Sequence, residues 1–238
     1  SKQTDLINVT DAITVSGSNV GIGTVPSGNL TSGYNLRLDG GAQTYLSFNN
    51  DTHTTQVTGG FVIGNDSGAA RITQRENQPI IIGTNNAERM RIDATGAVTM
   101  PHQPAFSVNP SGTQADIAPN GVRVVAFGTE RFDIGSNFAS NAFTAPVTGK
   151  YQLNVEVRLD NMDTGATYYH LYLLTSNKTY HSIMAPRFTS DPAYMSLSTS
   201  ALADMDENDA AYVGIYQASG TQQTDISGDS HFSGYLVA

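Results

Sequence analysis

Residues 141–159 read NAFTAPVTGKYQLNVEVRL, and the second half of this stretch decides the fold. Tyr151, Leu153, Val155, Val157 and Leu159 alternate with Gln152, Asn154, Glu156 and Arg158. Successive strand side chains point to opposite sides of a sheet, so this is a strand with one buried face and one wet or interfacial face. Pro146 and the turn Thr148-Gly149 lead into it and end whatever precedes.

The remainder of the 238 residues has the same character. Charged residues make up 14% of the chain, and 23 glycines with many Ser, Thr and Asn favour strands and turns over helices. No window combines sustained i, i+3, i+4, i+7 apolar spacing with helix caps. The balance of 12 basic and 21 acidic residues gives a net charge of −9 without any basic cluster. That excludes nucleic acid and anionic membranes as partners, since both attract proteins through Lys and Arg. With no cysteine, the reading excludes a disulfide framework, a zinc site and a thiol nucleophile, and it fits folding in a reducing cytoplasm. No run of 18 apolar residues and no charged-then-apolar leader occurs, and SKQTDL at the start reads as a truncation point of a longer chain.

Between residues 1 and 100 the chain is a series of brief β-segments: ITVSGSNVGIGTVPSG, then NLRLDG, TYLSFNN, GGFVIGN, ARITQ, PIIIGT and MRIDATGAVTM. Segments of four to seven residues cannot each bury a face alone, so they must pack on neighbours, and three chains wound together would cover their edges. MPHQPAFSVNPSG, with three prolines, marks the junction, giving a stem over 1–103 and a head over 104–238.

Four ordered stretches of the head carry a family resemblance. They are PAFSV at 104–108; Phe143, Pro146, Gly149 and Tyr151 in an F-x-x-P-x-x-G-x-Y entry; SLSTSALADMDENDAAYVGIY at 196–216; and the terminal Phe232, Ser233, Gly234, Tyr235 and Leu236. This part resembles the globular head of complement component one-q and its tumour-necrosis-factor-like relatives, although residues 160–198 follow no family wording. The resemblance implies an all-β chain whose head is a ten-strand-type jelly-roll sandwich assembled as a homotrimer. It puts Phe143, Tyr151, Phe232 and Tyr235 in the core or along the threefold seam. Some relatives bind calcium near the trimer apex.

A second resemblance lies in the stem, where ERMRIDATGAVTM (88–100) and NVGIGTVP (19–26) are similar to segments of bacteriophage tail-fibre proteins. It implies the distal part of a tail fibre or spike, made in the bacterial cytoplasm and carried on the virion. Its partners would be two more copies of itself, other tail proteins and a bacterial surface glycan or protein. Other readings are a structural virion component (a head fibre, tail-needle knob or trimerisation cap) and a polysaccharide-degrading tailspike.

Candidate chemistry is sparse. GDSH at 228–231 and NDSG at 65–68 superficially resemble serine-protease nucleophile segments but lack the following double glycine, so no enzyme is expected. Asp204, Asp206 and Asn208 alternate as calcium-loop ligands do, yet the sixth position is Asp209 where glycine belongs, and the twelfth is Ile215 where glutamate belongs. A structural calcium there is the one cofactor considered. For receptor contact the expected residues are Asp160, Asn161 and Asp163 in an acidic turn, with Tyr180, His181 and Tyr194 beside loop-like SNK, MAPR and SDP segments. Tyrosines suit recognition because they join apolar area to a hydroxyl.

Overall fold

A computed structural model describes residues 13–16, 19–22, 36–38, 42–48 and 60–238. Asn8, Asn29 and Asn50, which begin Asn-x-Thr sequons, and the Gly23–Pro26 half of NVGIGTVP lie outside the described residues. The chain forms two compact units, residues 1–100 and 101–238. Among the described residues every regular element is a strand.

The first unit contains three three-stranded sheets. They are β1 (Ile13–Ser16), β2 (Asn19–Ile22) and β3 (Leu36–Leu38); β4 (Gln43–Phe48), β5 (Phe61–Asp66) and β6 (Ala69–Gln74); and β7 (Ile80–Thr84), β8 (Ala87–Ile92) and β9 (Val98–Thr99). Among the described residues of this unit Val62 is the one buried hydrophobic side chain, whereas Phe48, Ile63, Ile72, Ile81, Ile82 and Val98 are exposed. Among these described residues a single copy therefore has almost no core. The β7–β8 pairing shifts at Ile82/Gly83, leaving Arg89 as the extra residue of a β-bulge. The bulge brings Glu88 and Arg91 to one side of the strand. There Arg91 donates from Nε at 2.8 Å and from Nη2 at 2.5 Å to the two carboxylate oxygens. Asp93 closes the next turn, its Oδ1 accepting from Thr95 N at 2.8 Å, Thr95 Oγ1 at 2.7 Å and Ala97 N at 2.9 Å.

The second unit is a two-layer sandwich. Its strands are β10 (Ala105–Asn109), β11 (Val122–Val124), β12 (Thr129–Ile134), β13 (Phe138–Ala139), β14 (Ala142–Thr144), β15 (Gly149–Asp160), β16 (Tyr168–Thr175), β17 (Thr179–Met184), β18 (Tyr194–Met205), β19 (Ala210–Ala218), β20 (Asp225–Ile226) and β21 (His231–Leu236). Sheet I runs β12-β10-β21-β15-β18, with β20 on β15; sheet II runs β13-β14-β19-β16-β17, with β11 on β19. Ten strands form the two main paths, and two short ones are appended. The last strand sits between β10 and β15, so consecutive strands rarely neighbour one another and the layers interlock as a jelly roll.

The alternation read in the sequence is the burial pattern of β15, whose odd-numbered side chains from Tyr151 to Leu159 all face the core. Four phenylalanines from both sheets fill the middle. Phe106 stacks on Phe143 at 4.6 Å and on Phe138 at 5.3 Å, and meets Phe232 edge-on at 4.9 Å. Tyr151, fully buried beside Phe143, donates its hydroxyl to Val147 O at 2.7 Å. Phe143, Tyr151 and Phe232 are thus core residues of one protomer, the first of the two places expected for them. Tyr235 differs: it is 49% exposed on the outer face of sheet I.

Candidate functional site

Sheet I has an outer face whose composition changes along the strands. One row of directly paired residues crosses it as Leu202, Gln152, Tyr235, Ala105 and Ile134. The next row is Ser200, Asn154, Ser233, Ser107 and Phe132. Leu202 is 58% exposed and Phe132 50%. Gln152 and Asn154 are tied sideways to Ser200, through Gln152 Nε2 to Ser200 Oγ at 2.8 Å and Ser200 Oγ to Asn154 Oδ1 at 2.8 Å. These ten residues carry no charge. Charges flank them: the Lys150–Asp204 pair at one end, and Glu156, Arg158, Asp160 and Arg131, which donates to Asn109 Oδ1 at 3.0 Å, at the other.

The two ends of the sandwich differ as well. At one, Leu236 N donates to Pro104 O and Lys150 N to Ala238 O, so the unit's first and last strands meet there. The β18–β19 turn belongs to this end. Asp204 pairs with Lys150, Asp206 N donates to Asp209 Oδ2 at 2.9 Å, and Asn208 N donates to Ala145 O with its φ at +74°. These bonds make a closed hairpin turn, in which the Asp204 carboxylate, expected as a calcium ligand with Asp206 and Asn208, is taken up by Lys150. Among the described residues no three His, Asp or Glu side chains converge to hold a metal ion. Tyr180 is near this end too, half-buried against the core, with Lys178 Nζ 5.3 Å above its ring.

The opposite end gathers the connections 161–167, 185–193, 219–230 and 110–121. Asp160 pairs across strands with both Tyr194 and Asp225. Arg158 donates to Asp160 Oδ1 at 2.8 Å and to Asp229 Oδ2 at 2.6 Å, and its guanidinium lies 4.8 Å from the ring centre of Tyr194. Tyr194 is 64% exposed, and exposed Asn161 donates to Asp225 Oδ2 at 2.9 Å. Asp191 accepts from Thr164 N at 2.9 Å, Thr164 Oγ1 at 2.7 Å and Gln223 Nε2 at 2.9 Å. These bonds hold its carboxyl below the usual range, the Thr164 hydroxyl contributing most. An open cleft of about 290 Å³ lies between Asp116, Ile117, Val122, Arg123 and Gln222. It is too small and shallow to bury a sizeable ligand.

Asp163 is corrected here. It is 7% exposed, and its carboxylate is consumed internally by Gly165 N at 2.7 Å and by Thr221 N. Its own N–H donates to Tyr169 Oη at 2.8 Å, which also bonds Thr224 Oγ1 at 2.8 Å. It latches two loops together and is closed to a receptor. The expected receptor residues therefore separate: Asp160, Asn161 and Tyr194 share one end, Tyr180 lies near the other, and His181 stands on sheet II.

The outer face of sheet II is aromatic. Tyr168, His170, Tyr172 and Tyr216 share it with His181, Ile183, Val122 and Val124, as the strand pairings require. Tyr168 and Tyr216 stack at 5.9 Å, and His170 packs on Tyr172 at 3.8 Å. Tyr216 and His170 gain importance over the sequence reading; the signal was the alternation of aromatics in YYHLYLL.

With this geometry established, the comparisons with known proteins are direct. The profile of the C1q domain matches residues 105–237, more than half of the chain. The chain belongs to the C1q domain family. Among solved structures, the globular domain of the zebrafish complement 1qA protein is similar, at 18% identity and a TM-score of 0.44, covering 57% of this chain and 98% of that one. Murine APRIL at pH 8.0 is similar at 13% identity and a TM-score of 0.43, with 57% and 99% covered. No curated protein matches. The C1q domain accounts for sheets I and II, and residues 1–100 stand outside the match.

Proposed function

We propose that this chain is a non-catalytic recognition module that works as a homotrimer, joined through the outer face of sheet I. Each sandwich presents the end bearing Asp160, Asn161 and Tyr194 to a bacterial surface glycan or protein. The carrying observation is the charge-free band of Leu202, Gln152, Tyr235, Ala105, Ile134 and Phe132, bounded by charged residues on both sides. A centre depleted of charge within a charged rim is ordinary anatomy for a protein interface. The exposed isoleucines and Phe48 of residues 42–100 support association a second time, since one chain leaves them in water.

The particle reading is the distal part of a bacteriophage tail fibre or spike. Its support is the ERMRIDATGAVTM wording at 88–100, the absence of cysteine and the low charge content. Attachment would work by avidity. A millimolar site is worth about −4 kcal/mol, and linking three raises apparent affinity by roughly 10²–10⁴ without new contacts.

Two measurements test this. Sedimentation at nanomolar concentration should give one species of three chains, and a Tyr235→Glu, Leu202→Glu double variant should give folded single chains. The trimer should compete with particles for host cells, and Tyr194→Ala with Asn161→Ala should abolish competition while Tyr180→Ala leaves it intact. A stable trimer that never binds cells would instead favour a purely structural virion part.

A further inference from the structure

Histidines 170 and 181 stand on adjacent strands of sheet II as diagonal neighbours, because Tyr172 pairs with His181 and His170 pairs with Ile183. Their ring centres are 5.1 Å apart with planes at 67°. Two imidazoles sharing one tetrahedral cation, with metal–nitrogen bonds of about 2.0–2.1 Å, stand about 5 Å apart between centres. The pair already has that centre-to-centre separation.

We propose that His170 and His181 form a binding site for a divalent late transition-metal cation, Zn(II) or Ni(II), on the outer face of sheet II. Three observations join the spacing. His170 Nε2 is buried without a hydrogen-bond partner, so a lone pair or proton there is unused. The ring is fixed by Tyr172 packed at 3.8 Å and by Tyr168 edge-on at 6.4 Å, which removes much of the entropy a mobile ligand loses. His181 is exposed beside it, so a cation reaches the pair from solvent.

The titratable groups facing the pair are the phenols of Tyr168 and Tyr172 on β16 and of Tyr216 on β19, all aromatic neighbours. No third His, Asp or Glu converges on it among the described residues, so water or a donor from outside completes the shell. Imidazole-only ligation selects cations such as Zn(II), Ni(II) and Cu(II) over Ca(II) and Mg(II), which demand oxygen. The lack of cysteine excluded a zinc site in the sequence, but it removes only thiolate ligands. The site lies on the opposite sheet from the proposed trimer face, so it stands independently of that assembly and would occur once per chain.

Calorimetric titration of the chelator-treated 238-residue chain with Zn(II) or Ni(II) at pH 7.5 tests it. The expected result is saturable binding of one cation per chain, at least tenfold weaker in His181→Ala and at pH 5.5, with Ca(II) silent. His231→Ala, on the other sheet, should match the parent chain. Absence of saturable binding, an unaltered His181→Ala isotherm, or loss of binding in His231→Ala would each overturn the assignment. Because His181 is exposed, its replacement leaves the fold intact, and unchanged thermal unfolding of the metal-free variant checks that.

Discussion

Gly234 lacks a side chain because a methyl there would sit 2.6 Å from Leu153 Cδ2 and 2.8 Å from Phe106 Cε1. It faces the core between Phe106 and Leu153, its partners on either side. Gly149 is under the same constraint, 2.6 Å from Ala238 O and from Leu236 Cδ1. The glycines of both motifs are thus packing residues, and Gly234→Ala should cost about 1–3 kcal/mol in chemical denaturation. Asp163→Ala removes two charge-assisted bonds, one to Gly165 within the 161–167 connection and one to Thr221 that ties it to 219–230, and should cost about 2–4 kcal/mol. A variant as stable as the parent would deny the latch. His170 adds a pH dependence with a definite sign. Its folded-state pKa is lowered, so the unfolded chain takes up the proton first as pH falls. Stability associated with the neutral ring is complete above the ordinary histidine range and declines once pH drops below about 6.5. Replacing His170 with Gln should flatten that decline, measured by unfolding between pH 7.5 and 5.

β15 was legible as a strand because one face is buried along its whole length and period-two alternation follows directly from that. β18 was harder to read. Its pattern is Ala201, Ala203 and Met205 inside against Ser200, Leu202 and Asp204 outside, so an apolar residue stands on the wet face where the proposed interface lies. The phenylalanine cluster joins β10, β13, β14 and β21, elements that are 126 residues apart in sequence between Phe106 and Phe232. No local pattern announces such a contact. Phe106→Ala should therefore cost about 3–5 kcal/mol in denaturation, since it empties the point where both sheets meet. In the stem, the bulge at Arg89 explains why Glu88 and Arg91, three apart on a strand, share a side.

Assembly is where the two units agree. The first keeps one buried hydrophobic side chain among its described residues, and the second leaves an uncharged band across sheet I. Both have apolar surface that a second copy could cover. Dilution of the full chain should thus lower thermal stability in a concentration-dependent way, as mass action requires of a coupled oligomer. A melting temperature constant from micromolar to nanomolar would argue for an independent monomer.

Composition and alternation determined that this chain is all-β and that the buried side of β15 is its odd-numbered one, because both follow from local spacing. The four ordered motifs located the jelly roll, since its tight glycines and core aromatics recur at fixed places. Only the tertiary structure decided that Tyr235 faces outward while Phe143, Tyr151 and Phe232 do not, that Asp163 is a latch, and that Tyr194 and Tyr180 lie near opposite ends. Those outcomes depend on which strands are neighbours, and strand order in an interlocked sandwich is set by contacts between residues far apart in the chain.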